Sequence, residues 1–184
     1  WIGYNAARND NPTGANRPIF DANSVAASDV AKVDTGFNLF YNIIFQNAAD
    51  DGISDESSFA SDGSAFYNCR ITSNGSDGVV DAEYYNFVNC EIDNNSSRAY
   101  ANNSSGRIPV FINCYIHNNT GVGIQCASAS ELIIINTVSE SNGNHGFAVG
   151  GGANNHHIKA IGCIAYNNTG ASTNGFDLTG TAGQ

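Results

Sequence analysis

The chain alternates between short apolar runs and polar turns, and the alternation itself repeats. Phe66-Tyr67-Asn68-Cys69-Arg70-Ile71 lines up with Phe87-Val88-Asn89-Cys90-Glu91-Ile92 and with Phe111-Ile112-Asn113-Cys114-Tyr115-Ile116. Ile134-Ile135-Asn136-Thr137 and Ala160-Ile161-Gly162-Cys163 continue the series, and Phe40-Tyr41-Asn42-Ile43 precedes it. From Ile43 onward the anchor position recurs after 26, 21, 24, 23 and 26 residues. Five places after the anchor stand Asn74, Asn95, Asn119, Asn142 and Asn168. Nine places after it stand Gly52, Gly78, Ala99, Gly123 and Gly146, each followed by an apolar residue.

A period in the low twenties, with apolar alternation over only a few positions, excludes paired helices and predicts short strands. At about 3.3 Å per strand residue such a coil closes as three short strands and three turns, and stacked coils pair in parallel about 4.8 Å apart. The expected fold is therefore all-β, a right-handed parallel β-helix of about six to seven coils. Residues 1–178 read as one domain, with 1–36 an irregular first coil, 37–178 the regular coils and 179–184 a tail or linker. Within the first coil, Asn9–Gly14 reads as a loop and Arg17-Pro18-Ile19-Phe20 as a strand.

Stacking places equivalent side chains over one another, which accounts for much of the composition. Cys69, Cys90, Cys114 and Cys163 become an inward column of small apolar thiols. The odd total of five, with Cys126, and the lack of a CxxC pair resemble neither a zinc site nor a disulfide framework. Asn42, Asn68, Asn89, Asn113 and Asn136, and the series from Asn74 to Asn168, are expected to form two amide ladders that satisfy turn backbone groups.

Only 13% of residues are charged, and the net charge of −10 excludes phosphate-rich partners, so neither nucleic acid nor an anionic membrane is expected. No apolar run approaches the length of a membrane-spanning helix. The abrupt start at Trp1-Ile2-Gly3-Tyr4, without a cap at either end, reads as a piece of a longer secreted, extracellular or cell-surface protein.

The repeat resembles that of pectate lyases, polygalacturonases, mannuronan C5-epimerases, tailspikes and non-catalytic glycan-binding β-helix modules, over residues 37–178. The resemblance implies the fold and a polysaccharide partner. Locally, Asn142-Gly143-Asn144-His145-Gly146-Phe147 looks like the epimerase coil in which a His acts in proton transfer, making His145 the one catalytic candidate. The Asp-Pro-His group of that family is missing, since Ala99-Tyr100-Ala101-Asn102-Asn103 stands in its place. The polygalacturonase acidic cluster is missing too. No complete catalytic constellation is found.

Two further features lie outside the repeat's structural logic. Asp51 and Asp77 share one coil position, and Asp55 and Asp81 another. Stacked like charges call for a cation or a base, so calcium, otherwise the sole cofactor considered, is one expectation. Neutralisation by Arg98, next in the Asp51 column, is the other. Beside the inward cysteines, the outward positions form a stripe that includes Arg70, Glu91, Asp93, Tyr115, His117, Glu140 and Tyr166. A rigid stripe of aromatics and planar polar groups suits an extended sugar chain. With seven basic residues scattered along the chain, a neutral plant-type glycan fits better than a polyanion.

The expected function is thus a non-catalytic carbohydrate-binding module, covalently linked to a catalytic domain of a larger secreted enzyme. One alternative is a lyase, epimerase or hydrolase with a site near His117, Glu140 and His145. The other is a structural rod of a tailspike or adhesin.

Overall fold

The computed structural model describes residues 17–33, 36–55, 63–81, 84–103, 108–126, 131–150, 157–170 and 174–178. The expected loop at Asn9–Gly14 and the expected tail at 179–184 lie outside these residues. Every described element is a strand, and every strand pairing is parallel. No helix long and apolar enough to cross a membrane occurs among the described residues.

The strands fall into three sheets. Sheet A stacks Leu39–Tyr41, Ala65–Tyr67, Asn86–Val88, Val110–Ile112, Glu131–Ile135 and His157–Ile161. Sheet B stacks Ile19–Asp21, Ile44–Gln46, Arg70–Thr72, Glu91–Asp93, Tyr115–His117, Val138–Glu140 and Ile164–Tyr166. Sheet C stacks Ala31–Lys32, Ile53–Ser54, Val79–Val80, Tyr100–Asn102, Ile124–Cys126, Phe147–Val149 and Phe176–Asp177. The chain visits A, B and C in turn, which is a β-solenoid with three strands per coil.

From the first to the last strand of sheet A the chain winds about five full turns. The expectation of six to seven coils is slightly high, because six strands in a column enclose only five steps. Among the described residues, 17–33 supply strands to sheets B and C.

Inside, like stacks on like. Phe40, Phe66, Phe87 and Phe111 form a ring stack with centroid separations of 4.8, 5.1 and 4.8 Å and nearly parallel planes. Cys69, Cys90 and Cys114 are buried beside them as free thiols, as the repeat predicts. Hydrogen bonding to Cys90, then burial, pushes the Cys69 thiol far above its ordinary range. Burial first, then hydrogen bonding to Cys114, does the same to Cys90. They pack rather than react.

The two asparagine columns do different work. Asn74, Asn95, Asn119, Asn142 and Asn168 form a continuous amide ladder, each Nδ2 donating to the next Oδ1 at 2.8 to 3.0 Å. Each Oδ1 also accepts a backbone N–H from the preceding coil, such as Asn95 N to Asn119 Oδ1 at 3.1 Å. The other column holds left-handed turn residues, with φ of 59° at Asn42 and 52° at Asn68, a conformation that Asn tolerates. Side-chain bonds run along that column too: Asn68 donates to Asn42 at 2.6 Å and Asn113 to Asn89 at 3.2 Å. Gly78 is required by a close approach rather than by φ, since a Cβ there would meet Ala99 O at 2.6 Å.

Candidate functional site

The outer face of sheet B carries the stripe read from the sequence. Register places Arg70, Glu91, Tyr115, Val138 and Ile164 in one column. Thr72, Asp93, His117, Glu140 and Tyr166 form the column beside it. Ile71, Ile92, Ile116, Ser139 and Ala165 alternate between them and point inward, which turns both columns to the outside.

At the N-terminal end the stripe is a closed ionic network. Arg70 grips Asp93 with both arms, Nε to Oδ1 at 2.8 Å and NH2 to Oδ2 at 2.6 Å. Such bidentate pairs are among the stronger polar contacts. Asn94 donates to the same carboxylate, and Asp93 is left with no exposed surface. Asp93 therefore supports the face from beneath instead of meeting a ligand. Glu91 sits 3.5 Å from Arg70 Nε and 4.0 Å from the buried Arg17 guanidinium. His117 bridges outward: Asn118 donates to its Nδ1 at 2.9 Å, so its Nε2 donates to Glu91 at 3.0 Å. That hydrogen bond, aided by the charges of Arg70 and Arg17, holds the Glu91 carboxyl below its usual range.

Toward the C-terminal end the face becomes aromatic and accessible. Tyr115 is 40% exposed and Tyr166 43% exposed. Tyr115 stacks on His117 with ring centroids 4.0 Å apart. Its hydroxyl donates to Glu140, and Tyr166 hydrogen-bonds the same carboxylate from the coil above. These two bonds lower the Glu140 pKa, while the carboxylate pushes the Tyr115 phenol up to about 12. Both phenols stay protonated at any physiological pH, as donors pinned in place.

The paired aspartates line up as expected, and the carboxylates of Asp51, Asp77 and Asp81 are used by the chain itself. Asp77 N–H donates to Asp51 Oδ1 at 2.8 Å, and Arg98 N–H to Asp77 Oδ1 at 2.8 Å. Asp29, hidden in the irregular first coil, extends the column downward by accepting Asp51 N–H at 3.1 Å. In the second column Asp55 is buried, and Asp81 accepts Asn103 N–H at 3.1 Å. Asp29, Asp51, Asp77 and Asp81 thus act like the asparagine ladder, each tying a turn to the next coil. Arg98 also meets Asp77 through its guanidinium, at 3.1 Å to Oδ1 and 2.7 Å to Oδ2.

Among the described residues, two groups bring three ligand-type atoms within 4.8 Å of one another: Glu91, Asp93 and His117, and Asp29, Asp50 and Asp51. Asp51, Asp55, Asp77 and Asp81 do not converge as one set. In the first group Arg70 already occupies both Asp93 oxygens, so a cation there must displace a buried ion pair.

His145 lies away from the stripe, in a groove of about 490 Å³ on the outside of sheet C. Gln125, Ala148 and Asp177 share a column there, and the short Ala148 leaves a depression flanked by Arg98 and Asn144. His145 Nδ1 accepts Asn174 N–H at 3.0 Å, and Nε2 meets Asp177 Oδ2 at 3.2 Å. Both ring nitrogens are engaged in holding the last coil, which leaves neither as a base facing the groove. Asp177 had no sequence signal, because the insertion before Gly175 breaks the register of that coil.

The chain's three parallel sheets enclose an internal asparagine ladder. The chain belongs to the right-handed β-helix family, whose model, described as "Right handed beta helix region", matches residues 58–183. Among solved structures it is similar to that titled "Crystal structure of pectate lyase Pel9A", with a TM-score of 0.65 and 16% identity over 84% of this chain. The match covers 48% of the pectate lyase chain, so this chain spans about half of that protein. At that identity the likeness is one of fold. No curated protein sequence matches it.

Proposed function

We propose that this chain is a non-catalytic carbohydrate-binding module that holds an extended neutral polysaccharide along the outer face of sheet B, as an accessory domain of a larger secreted enzyme. The observation that carries this reading is the Tyr115–Glu140–Tyr166 array. Two exposed rings, two coils and so about 10 Å apart along the stack, offer apolar surface to successive sugar rings. Their shared carboxylate, with His117 beside it, offers planar hydrogen-bonding groups. The array is already ordered by its own hydrogen bonds, so little side-chain freedom is lost when a chain binds. A neutral polymer is favoured because Arg17 and Arg70 are matched by Glu91 and Asp93, leaving no surplus positive charge on this face. His145 contacts Asn174 N–H and Asp177 in the last coil, which supports a role for it in the fold. The fold shared with a pectate lyase supports a polysaccharide ligand and a secreted setting.

Affinity electrophoresis and calorimetry against xylan, mixed-linkage glucan and pectate test the proposal. Binding to a neutral polymer is expected, weakened at least tenfold in Tyr115→Ala and in Tyr166→Ala, with no product released. Release of unsaturated oligouronides from pectate would make the chain a lyase instead. No binding to any polymer would leave the rod reading.

A further inference from the structure

The groove on the outside of sheet C has no place in that proposal, and its construction is different. Two columns of equivalent coil positions frame it. Gln125, Ala148 and Asp177 follow one another across the paired strands. Arg98, Val122 and His145 stack beside them in the turns that enter the sheet, tied coil to coil by Ala99 N–H to Val122 O and Gly123 N–H to His145 O. Each end of the groove is shut by a side chain that crosses from the second column to the first, one coil on. Arg98 NH1 donates to Gln125 Oε1 at 3.0 Å, and His145 Nε2 donates to Asp177 Oδ2 at 3.2 Å. Between these two bridges the floor is apolar, made by the buried side chains of Val122 and Ala148. The groove's volume of about 490 Å³ lies within the range of small-molecule sites, about 300–1,000 Å³.

The polar groups on the rim are only partly used by the chain. Arg98 carries five N–H donors. Asp77 takes two of them and Gln125 a third, which leaves two among the described residues. Gln125 accepts through Oε1, so its amide N–H groups are left for the groove it lines. Asn144 is in the same position, since its Oδ1 accepts His145 N–H at 2.9 Å. The Asp177 carboxylate faces these donors as an acceptor from the far end. Charge sets the sign of the ligand. Asp77 offsets Arg98, and a His145 ring that accepts at Nδ1 is neutral, so Asp177 gives this lining a net negative charge.

We propose that this groove is a second binding site, one that takes a single neutral pyranose ring. The C–H face of the ring lies on Val122 and Ala148. Its hydroxyls accept from Arg98, Gln125 and Asn144 and donate to Asp177, both roles being open to every hydroxyl. An anionic sugar is opposed by Asp177, and a wholly apolar ligand leaves the rim donors unmet. The middle of an extended chain is stopped by the Arg98–Gln125 and His145–Asp177 bridges. The assignment rests on these residues alone and stands apart from the reading of sheet B.

Amide NMR of the full chain, titrated with methyl β-glucopyranoside, methyl β-xylopyranoside or sodium galacturonate, tests the proposal. At least one of the two glycosides is expected to bind with a dissociation constant on the order of 1–10 mM. Shifts are expected at the side-chain amides of Gln125 and Asn144 and the backbone amide of Ala148. Galacturonate is expected to bind more weakly than that glycoside. Ala148→Leu fills the floor and is expected to abolish the response, and Gln125→Ala to weaken it about fivefold, the worth of one hydrogen bond. Should Ala148→Leu fail to fold, the half-exposed Gln125 position carries the test. No shift at these amides with either glycoside, an unchanged response in a folded Ala148→Leu or in Gln125→Ala, or tighter binding of galacturonate would each overturn it. Polysaccharide affinity is read separately, on Tyr115 and Tyr166 variants, so either site can fail alone.

Discussion

Arg98 closes over Asp77 from two directions, with its backbone N–H 2.8 Å and its Nε 3.1 Å from Oδ1, and NH2 2.7 Å from Oδ2. A carboxylate so fully used needs no added cation. Asp77→Ala leaves a guanidinium and a backbone N–H without their acceptor, and is expected to lower stability by about 2–3 kcal/mol. The loss is expected to be the same in calcium and in chelator, read by thermal melts. A calcium-dependent rise in the wild-type melting temperature that disappears in the variant would return calcium to this column.

Asn119 sits in the middle of the buried ladder. It accepts from Asn95 and donates to Ile92 O at 3.1 Å and to Asn142 Oδ1 at 2.9 Å. Asn119→Ala strands several buried polar groups at once and is expected to cost about 3–4 kcal/mol, the upper end for a broken hydrogen-bond network. Asn168→Ala, at the half-buried end of the ladder, is expected to cost less than half of that. Urea unfolding of the two variants side by side gives the comparison.

Asp51 is the carboxyl most disturbed by the stack. Burial first, then the negative charges of Asp77 and Asp50, push its pKa up to about 6. Its folded pKa lies above the unfolded value, so the stability it permits is fully present below about pH 4 and is lost as pH rises through about 6. Asp51→Asn keeps an oxygen for the Asp77 N–H and removes the charge. Stability at pH 7 is expected to rise by about 1–2 kcal/mol, discounted for partial exposure, and its slope between pH 4 and 6 to flatten. An unchanged slope would show that the group is solvated in the folded chain.

His145 fastens the last coil through Asn174 N–H and Asp177. His145→Ala is expected to speed hydrogen exchange at Gly146 and Phe147, whose amides donate to Asn174 O and Gly175 O. The ladder amides deeper in the stack should keep their protection. A uniform loss of protection would mean that this coil is needed for the whole solenoid.

Thiol chemistry should separate the cysteines by depth. Cys69, Cys90, Cys114 and Cys126 are buried, and only Cys163 is partly open. Iodoacetamide on the native protein is expected to label Cys163 alone, with the others reacting only in denaturant.

Much of this molecule is legible in its sequence, because a parallel stack converts sequence alignment into contact. Once Cys69, Cys90 and Cys114 are aligned, register follows for every column, including Asp51 over Asp77 and Arg70 beside Glu91 and Tyr115. The asparagine ladder is legible for the same reason. Sheet A's apolar outer face is not, since runs such as Leu132-Ile133-Ile134-Ile135 are apolar on both faces and read simply as core. Nor is the role of Asp29, whose coil lacks the repeat.

The sequence by itself determined the coil, its columns and which side chains face out, all consequences of a period and a fixed strand spacing. Only the tertiary structure decided how those side chains are used. Arg70 reaches diagonally to bury Asp93 instead of pairing squarely with Glu91, Glu140 gathers Tyr115 and Tyr166, and His145 turns to Asp177 across an insertion. Those choices depend on side-chain reach between neighbouring coils, and residue identity in a repeat does not encode reach.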